Sequence, residues 1–103
     1  MEHILCAAIW YKDLPLIKTF DSNVLPINCH KGIVFCGHRH PHCMYSMCSI
    51  TGKRSVEPEI GEYIQGFLTS LNRFVDRKEG ARIAYQAKQI KEDKVTLFSE
   101  DLY

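Results

Sequence analysis

An α+β fold is predicted for this chain: a single small domain, an antiparallel sheet with two helices packed on it, in the order β-β-α-β-β-α-β. Three observations carry the prediction. The chain has 103 residues, the size of one compact domain. Its apolar pattern switches from short β-branched and aromatic runs to three- and four-residue spacing and back, twice. Hydrophobic residues make up 46% and charged residues 24%, the balance of a folded globular protein rather than a disordered one.

The elements follow in order. Residues from Ile4 to Tyr11 form a short apolar run bounded by charge, which suits a buried strand. Pro15 and Pro26 forbid a long helix between Leu14 and Asn28, and Leu16 to Phe20 can serve as an edge strand. Lys31-Gly32 opens a strand from Ile33 to Cys36 that ends at Gly37. Pro41 then stands at a first helical position, and Cys43, Met44, Met47 and Cys48 recur at helical spacing. This predicts a helix from about Pro41 to Ile50, stopped by Thr51-Gly52.

Lys53 to Glu59 reads as a polar connection containing Pro58. A strand from Ile60 to Thr69 and a return strand from Arg73 to Val75 form a hairpin about Leu71-Asn72. Asp76 is a helix N-cap, with Glu79 three residues on to complete a capping box. Ile83, Ala84, Ala87 and Ile90 keep the helical stripe, with Arg77, Lys78, Arg82 and Lys88 on the wet side. Gly80 weakens this helix by about 1 kcal/mol relative to Ala. Val95 to Phe98 reads as a last strand, and Ser99 to Tyr103 closes the chain.

Charge and cysteine content narrow the function classes. Lys+Arg 13 against Asp+Glu 12 leaves a net charge of +1, too little to hold a long nucleic acid or an acidic membrane non-specifically. Any bound anion must be met by a local arrangement. A domain this short buries only about 60–65% of its unfolded surface, so self-assembly is a real option. The five cysteines are an odd number with no secretory signal before them, which points to a reducing cytoplasm and mostly free core thiols.

Two stretches concentrate chemistry. In Cys36-Gly37-His38-Arg39-His40-Pro41-His42-Cys43, a strand gives way to a helix whose free N–H groups, together with Arg39, suit a phosphate. The same residue types could bind zinc with Cys29-His30, but no pair of Cys knuckles is present, and a plain arrangement of core thiols and surface histidines also accounts for them. A nucleophile built from Cys43 and His40 or His42 lacks a marked orienting group or oxyanion hole. The second stretch runs from Gln65 to Arg77 and combines Phe67, Phe74, Arg73 and Arg77 around a helix start. Aromatic and arginine side chains together can hold an adenine nucleotide; equally, the phenylalanines can be sheet core and the arginines solvated. No P-loop, G-x-G-x-x-G, H-E-x-x-H or G-x-S-x-G motif occurs.

The strings Gln65-Gly66-Phe67-Leu68-Thr69-Ser70, Arg73-Phe74-Val75-Asp76-Arg77 and Leu97-Phe98-Ser99-Glu100-Asp101-Leu102-Tyr103 resemble the phage anti-Thoeris sponge proteins. Ala81, Ile83-Ala84, Gln89-Ile90, Ala7-Ala8-Ile9 and Arg39-His40 fit the same pattern, so the likeness spans nearly the whole chain. The resemblance implies a non-enzymatic protein, without cofactor or metal, acting in the host bacterial cytoplasm. It would sequester the Thoeris signal glyco-cyclic ADP-ribose, assemble as dimers that combine into hexamers and, as some similar proteins do, hold cyclic di- or trinucleotides in separate pockets. By the same resemblance Phe67 stacks on adenine, and Asp76 and Arg77, with Arg73 beside them, contact the ligand. Ser99, Glu100, Asp101 and Leu102 close that pocket, and Arg39 and His40 serve the second. The hairpin tip Leu71-Asn72 and Gly80 depart from the family pattern. A His-dependent cyclic-nucleotide hydrolase or lyase, and a zinc-stabilised interaction module, are the alternatives.

Overall fold

The first apolar run becomes an interior strand. In the computed structural model, which describes residues 1–15, 25–54 and 58–103, strand β1 (Ile4–Tyr11) pairs on both sides. The other strands are β2 (Ile33–Gly37), β3 (Tyr63–Thr69) and β4 (Phe74–Asp76). The sheet order is β2-β1-β3-β4 and every pairing is antiparallel. Helices α1 (His40–Thr51) and α2 (Arg77–Gln86) complete the α+β domain that the patterning predicts. Among the described residues, no helix is long and apolar enough to cross a membrane.

Register decides which side chains share a face. Ala7 pairs with Phe67, Phe67 with Val75, and Ile9 with Phe35, so these side chains project to one side. Both helices lie there. Cys43 and Met47 of α1 cover Ala7, Ile9, Tyr11 and Phe35, whereas Ala81, Ile83 and Ala84 of α2 cover Ile4, Phe67 and Val75. The opposite face carries Ala8, Trp10, Val34, Ile64, Leu68 and Phe74, packed against Leu25 and Cys29. Burial of each large side chain such as Ile9, Met47, Phe67 or Leu97 contributes about 1.5–3 kcal/mol.

The helix ends follow local chemistry. Gly52 stops α1 in the left-handed region at φ 74°, its N–H donating to the Cys48 carbonyl at 2.9 Å. Asp76 caps α2 by accepting the Glu79 N–H at 2.8 Å. The capping box is only half made, because the Glu79 carboxylate pairs with Arg82.

Several expectations are corrected. The third strand begins at Tyr63, not Ile60: Pro58–Ile60 is a 3₁₀ turn, and Gly61 follows it at φ 66° against Asp13. The hairpin needs no glycine, since Asn72 itself adopts φ 57°. Val95 to Phe98 is not a strand; its one backbone tie to α2 is the Leu97 N–H donating to the Arg77 carbonyl at 3.0 Å. Arg77 is half-buried rather than wet, and Cys36 is exposed rather than a core thiol, although all five cysteines are free. Gly80 lets α2 sit close on β3: a Cβ there would stand 3.0 Å from the Phe67 ring, a tighter contact than side chains usually make. The proposed edge strand from Leu16 to Phe20 lies outside the described residues.

Candidate functional site

Two short strands bring two helix starts to one place. β2 ends at Gly37, opposite Ala7; Ala7 faces Phe67, and Phe67 faces Val75, next to the last residue of β4. The four positions form one row across the sheet. Helices α1 and α2 therefore both begin beside the middle of β3, and the segment from Leu97 to Tyr103 runs across the seam between them.

His40, the first residue of α1, is buried in that seam. Its Nε2 lies 2.8 Å from the Gly66 carbonyl oxygen, an acceptor only, so Nε2 carries the proton and donates it there. The ring meets Phe67 edge-on at 5.2 Å. Burial lowers the His40 pKa from its ordinary value, against the opposing effect of the Gly66 bond, and the nearby Arg77 charge lowers it further. Phe67 has no exposed surface: His40 closes one side of it and α2, through Gly80, another. Within the single chain it offers no open face to a base.

Arg77 bridges β3 to the closing segment. It donates to the Leu97 carbonyl at 3.0 Å and to Gln65 Oε1 at 2.7 Å, and its guanidinium sits 4.9 Å from the centroid of the Phe98 ring. Phe98 is 48% exposed, so this arginine-backed aromatic does have an open surface. Burial pushes the Arg77 pKa down and the charge of Glu100 pushes it back up.

Beyond Phe98 the chain turns sharply. Asp101 accepts from the Phe98 N–H at 2.9 Å and from Lys94 Nζ at 2.7 Å, and Leu102 packs on the core under α2. Ser99 is buried, and its hydroxyl donates to the Glu100 carboxylate at 2.8 Å. That carboxylate lies 3.7 Å from Arg39 Nη1. The Tyr103 ring stacks on His38 at 4.4 Å, its hydroxyl donates to the His38 carbonyl at 2.9 Å, and Arg39 lies over the same ring at 5.1 Å.

The predicted site residues thus divide. Arg39, His40, Arg77, Ser99 and Glu100 come together at one seam, so residues assigned from the resemblance to two separate pockets share one electrostatic environment. Asp101 and Leu102 anchor the segment that closes it. Arg73 is engaged elsewhere, in a two-bond pair with Glu2 at 2.8 Å each, which holds the Glu2 carboxyl down at about 2. Asp76 caps α2 and lines a shallow depression of about 400 Å³ with Lys78, Arg82 and Lys94.

Residue types suited to catalysis are occupied otherwise. Cys43 points its thiol at the Ala7 and Arg39 carbonyls, and burial raises it to about 11. His42 Nδ1 accepts the Arg39 N–H at 3.2 Å. Among the described residues, no three His, Cys, Asp or Glu side chains are grouped to hold a metal ion. Sequence reasoning missed Phe98 and Tyr103 as parts of the seam. For Phe98 a signal existed: it follows the apolar Leu97 in an extended stretch, where neighbouring side chains point to opposite sides, so a buried Leu97 turns Phe98 outward.

A family model described as the phage T4 y16D protein matches residues 3–103. No curated protein and no solved structure matches the chain.

Proposed function

We propose a ligand-trapping role for this chain, which belongs to the phage T4 y16D protein family. The ligand is a nucleotide of the cyclic ADP-ribose type, the Thoeris signal glyco-cyclic ADP-ribose being the first candidate, held without being degraded. One observation carries this reading: Arg39 and Arg77 flank the same seam beside an exposed aromatic ring, Phe98, that rests on Arg77. Guanidinium groups suit a diphosphate, and an arginine-backed ring suits a base.

In this reading Phe98 takes the stacking role and Phe67 supports the seam from beneath. Gln65, oriented by Arg77, adds an amide for a base or ribose edge. The state of the histidines and of Cys43 supports binding over hydrolysis. A trap gains from tight ground-state binding and needs no proton shuttle. A second copy of the chain would complete the enclosure, in a dimer or in a hexamer built of dimers, and cyclic di- or trinucleotides are secondary candidate ligands.

The test is retention and recovery. Protein incubated with glyco-cyclic ADP-ribose, freed of unbound ligand and then heat-denatured, should release the same molecule, identified by mass spectrometry. Release of a linear or shortened product would replace the trap with an enzyme, and no retention at micromolar ligand would remove the reading.

A further inference from the structure

The seam already contains an anion, and it belongs to the protein. The Glu100 carboxylate lies 3.7 Å from Arg39 Nη1, close enough for attraction but beyond hydrogen-bond distance, and that nitrogen is buried with no hydrogen-bond partner. A buried, unpaired guanidinium N–H costs free energy that a better-placed acceptor would recover. The negative charge of Glu100 also acts on Arg77, the second guanidinium of the seam.

The carboxylate is loosely held. Its side chain is 70% exposed, and among the described residues its one hydrogen bond comes from Ser99, the adjacent residue. Exposed ion pairs of this kind contribute about 1 kcal/mol or less. The backbone carrying it is fastened on both sides: Asp101 is tied to Lys94 and the Phe98 N–H, Leu102 to the core, and Tyr103 to His38. Glu100 can therefore swing out while the segment stays in place.

We propose that Glu100 is a tethered substitute for a ligand phosphate, occupying the Arg39–Arg77 site until a phosphate-bearing ligand displaces it. The inference rests on the ligand-trap reading above and adds the regulation of that site. A phosphate oxygen would reach the unpaired Arg39 Nη1 that the Glu100 carboxylate leaves without a hydrogen bond. A diphosphate would bring two negative charges to the seam against the single charge of the carboxylate it replaces. Weakly charged ligands would not displace Glu100, so the tether selects for diphosphates over neutral nucleosides.

The experiment measures inorganic pyrophosphate and ADP-ribose binding by calorimetry to the full chain, to Glu100→Gln and to Glu100→Gln combined with Arg39→Ala. Removing the competing carboxylate should tighten both ligands by about fivefold, and the added Arg39→Ala should reverse the gain. Melting curves establish that each variant is folded, and Glu100→Ala substitutes if the glutamine variant is not. Equal or weaker binding by the folded Glu100 variant overturns the proposal, as does a gain that survives Arg39→Ala. Tighter pyrophosphate binding by Glu100→Gln, together with failure of the full chain to retain glyco-cyclic ADP-ribose in the retention test above, would uphold the tethered carboxylate while refuting the Thoeris assignment.

Discussion

At the scale of single residues, two phenylalanines separate stability from recognition. Phe67 is fully buried between His40 and α2. Truncation to alanine should cost about 3–5 kcal/mol of folding stability, read from urea unfolding, because the cavity has packed walls on both sides. Loss of ligand binding in that variant would report a damaged fold. Phe98→Ala should leave stability within about 1 kcal/mol and weaken nucleotide capture by about 1–3 kcal/mol. Unchanged capture by a folded Phe98→Ala would move the base elsewhere. Glycines divide in the same way. A Cβ on Gly66 would lie 2.0 Å from the Val75 carbonyl oxygen, which the β3–β4 pairing fixes in place, so Gly66→Ala should unfold the hairpin end of the sheet. Melting of that variant within a degree of wild type would show that the two strands can part without cost. The close approaches at Gly66 and Gly80 were not legible in the sequence, because each depends on a neighbour brought close only by the tertiary fold.

At the scale of elements, the parts most legible were those set by local chemistry. The Asp76 cap, the three- and four-residue spacing of Cys43 and Met47, and the Gly52 stop depend on residues within a turn of one another. Val95 to Phe98 has strand-forming residues yet makes no strand. β-propensity expresses itself only where an edge is available, and here a single backbone bond to Arg77 ties the run beside α2 instead. The site was legible in its residue types but not in its grouping: Arg39 and Arg77 border one seam because β2 and β4 end within one residue of the same row, which no spacing along the chain encodes. The Asp76 cap gives a prediction at this scale. Asp76→Ala should destabilise the protein by about 0.5–2 kcal/mol, whereas Asp76→Ser, which keeps an acceptor, should restore most of that. If both variants lose stability equally, the Asp76 carboxylate matters for something other than its bond to Glu79. If Asp76 also contacts the ligand, Asp76→Ser would recover stability without recovering affinity.

For the whole molecule, acid should act over two ranges in the same direction, through His40 beside the middle of β3 and through the carboxylates of Glu2 and Asp101. His40 is held neutral by burial, with its folded pKa below the ordinary 6.5. The unfolded chain therefore binds a proton first, and stability falls as pH drops below 6.5. Glu2 is the converse ionisation with the same consequence. Its pair with Arg73 lowers its pKa from 4.5 to about 2, so that contribution is complete above 4.5 and disappears as pH falls through about 2. Urea midpoints measured from neutral pH downward should decline in two stages. His40→Gln retains an N–H donor without the titration, and should remove the upper stage alone. Glu2→Gln should shrink the lower stage, leaving the share contributed by Asp101, which Lys94 holds below the usual carboxylate range, and should leave the upper one intact. Because His40 supports the seam and Glu2 ties the start of β1 to the β3–β4 hairpin, ligand capture should weaken with the first stage, before the second begins. A midpoint that stays constant from pH 6.5 to 4.5 would show that His40 is not kept neutral by its place between Gly66 and Phe67.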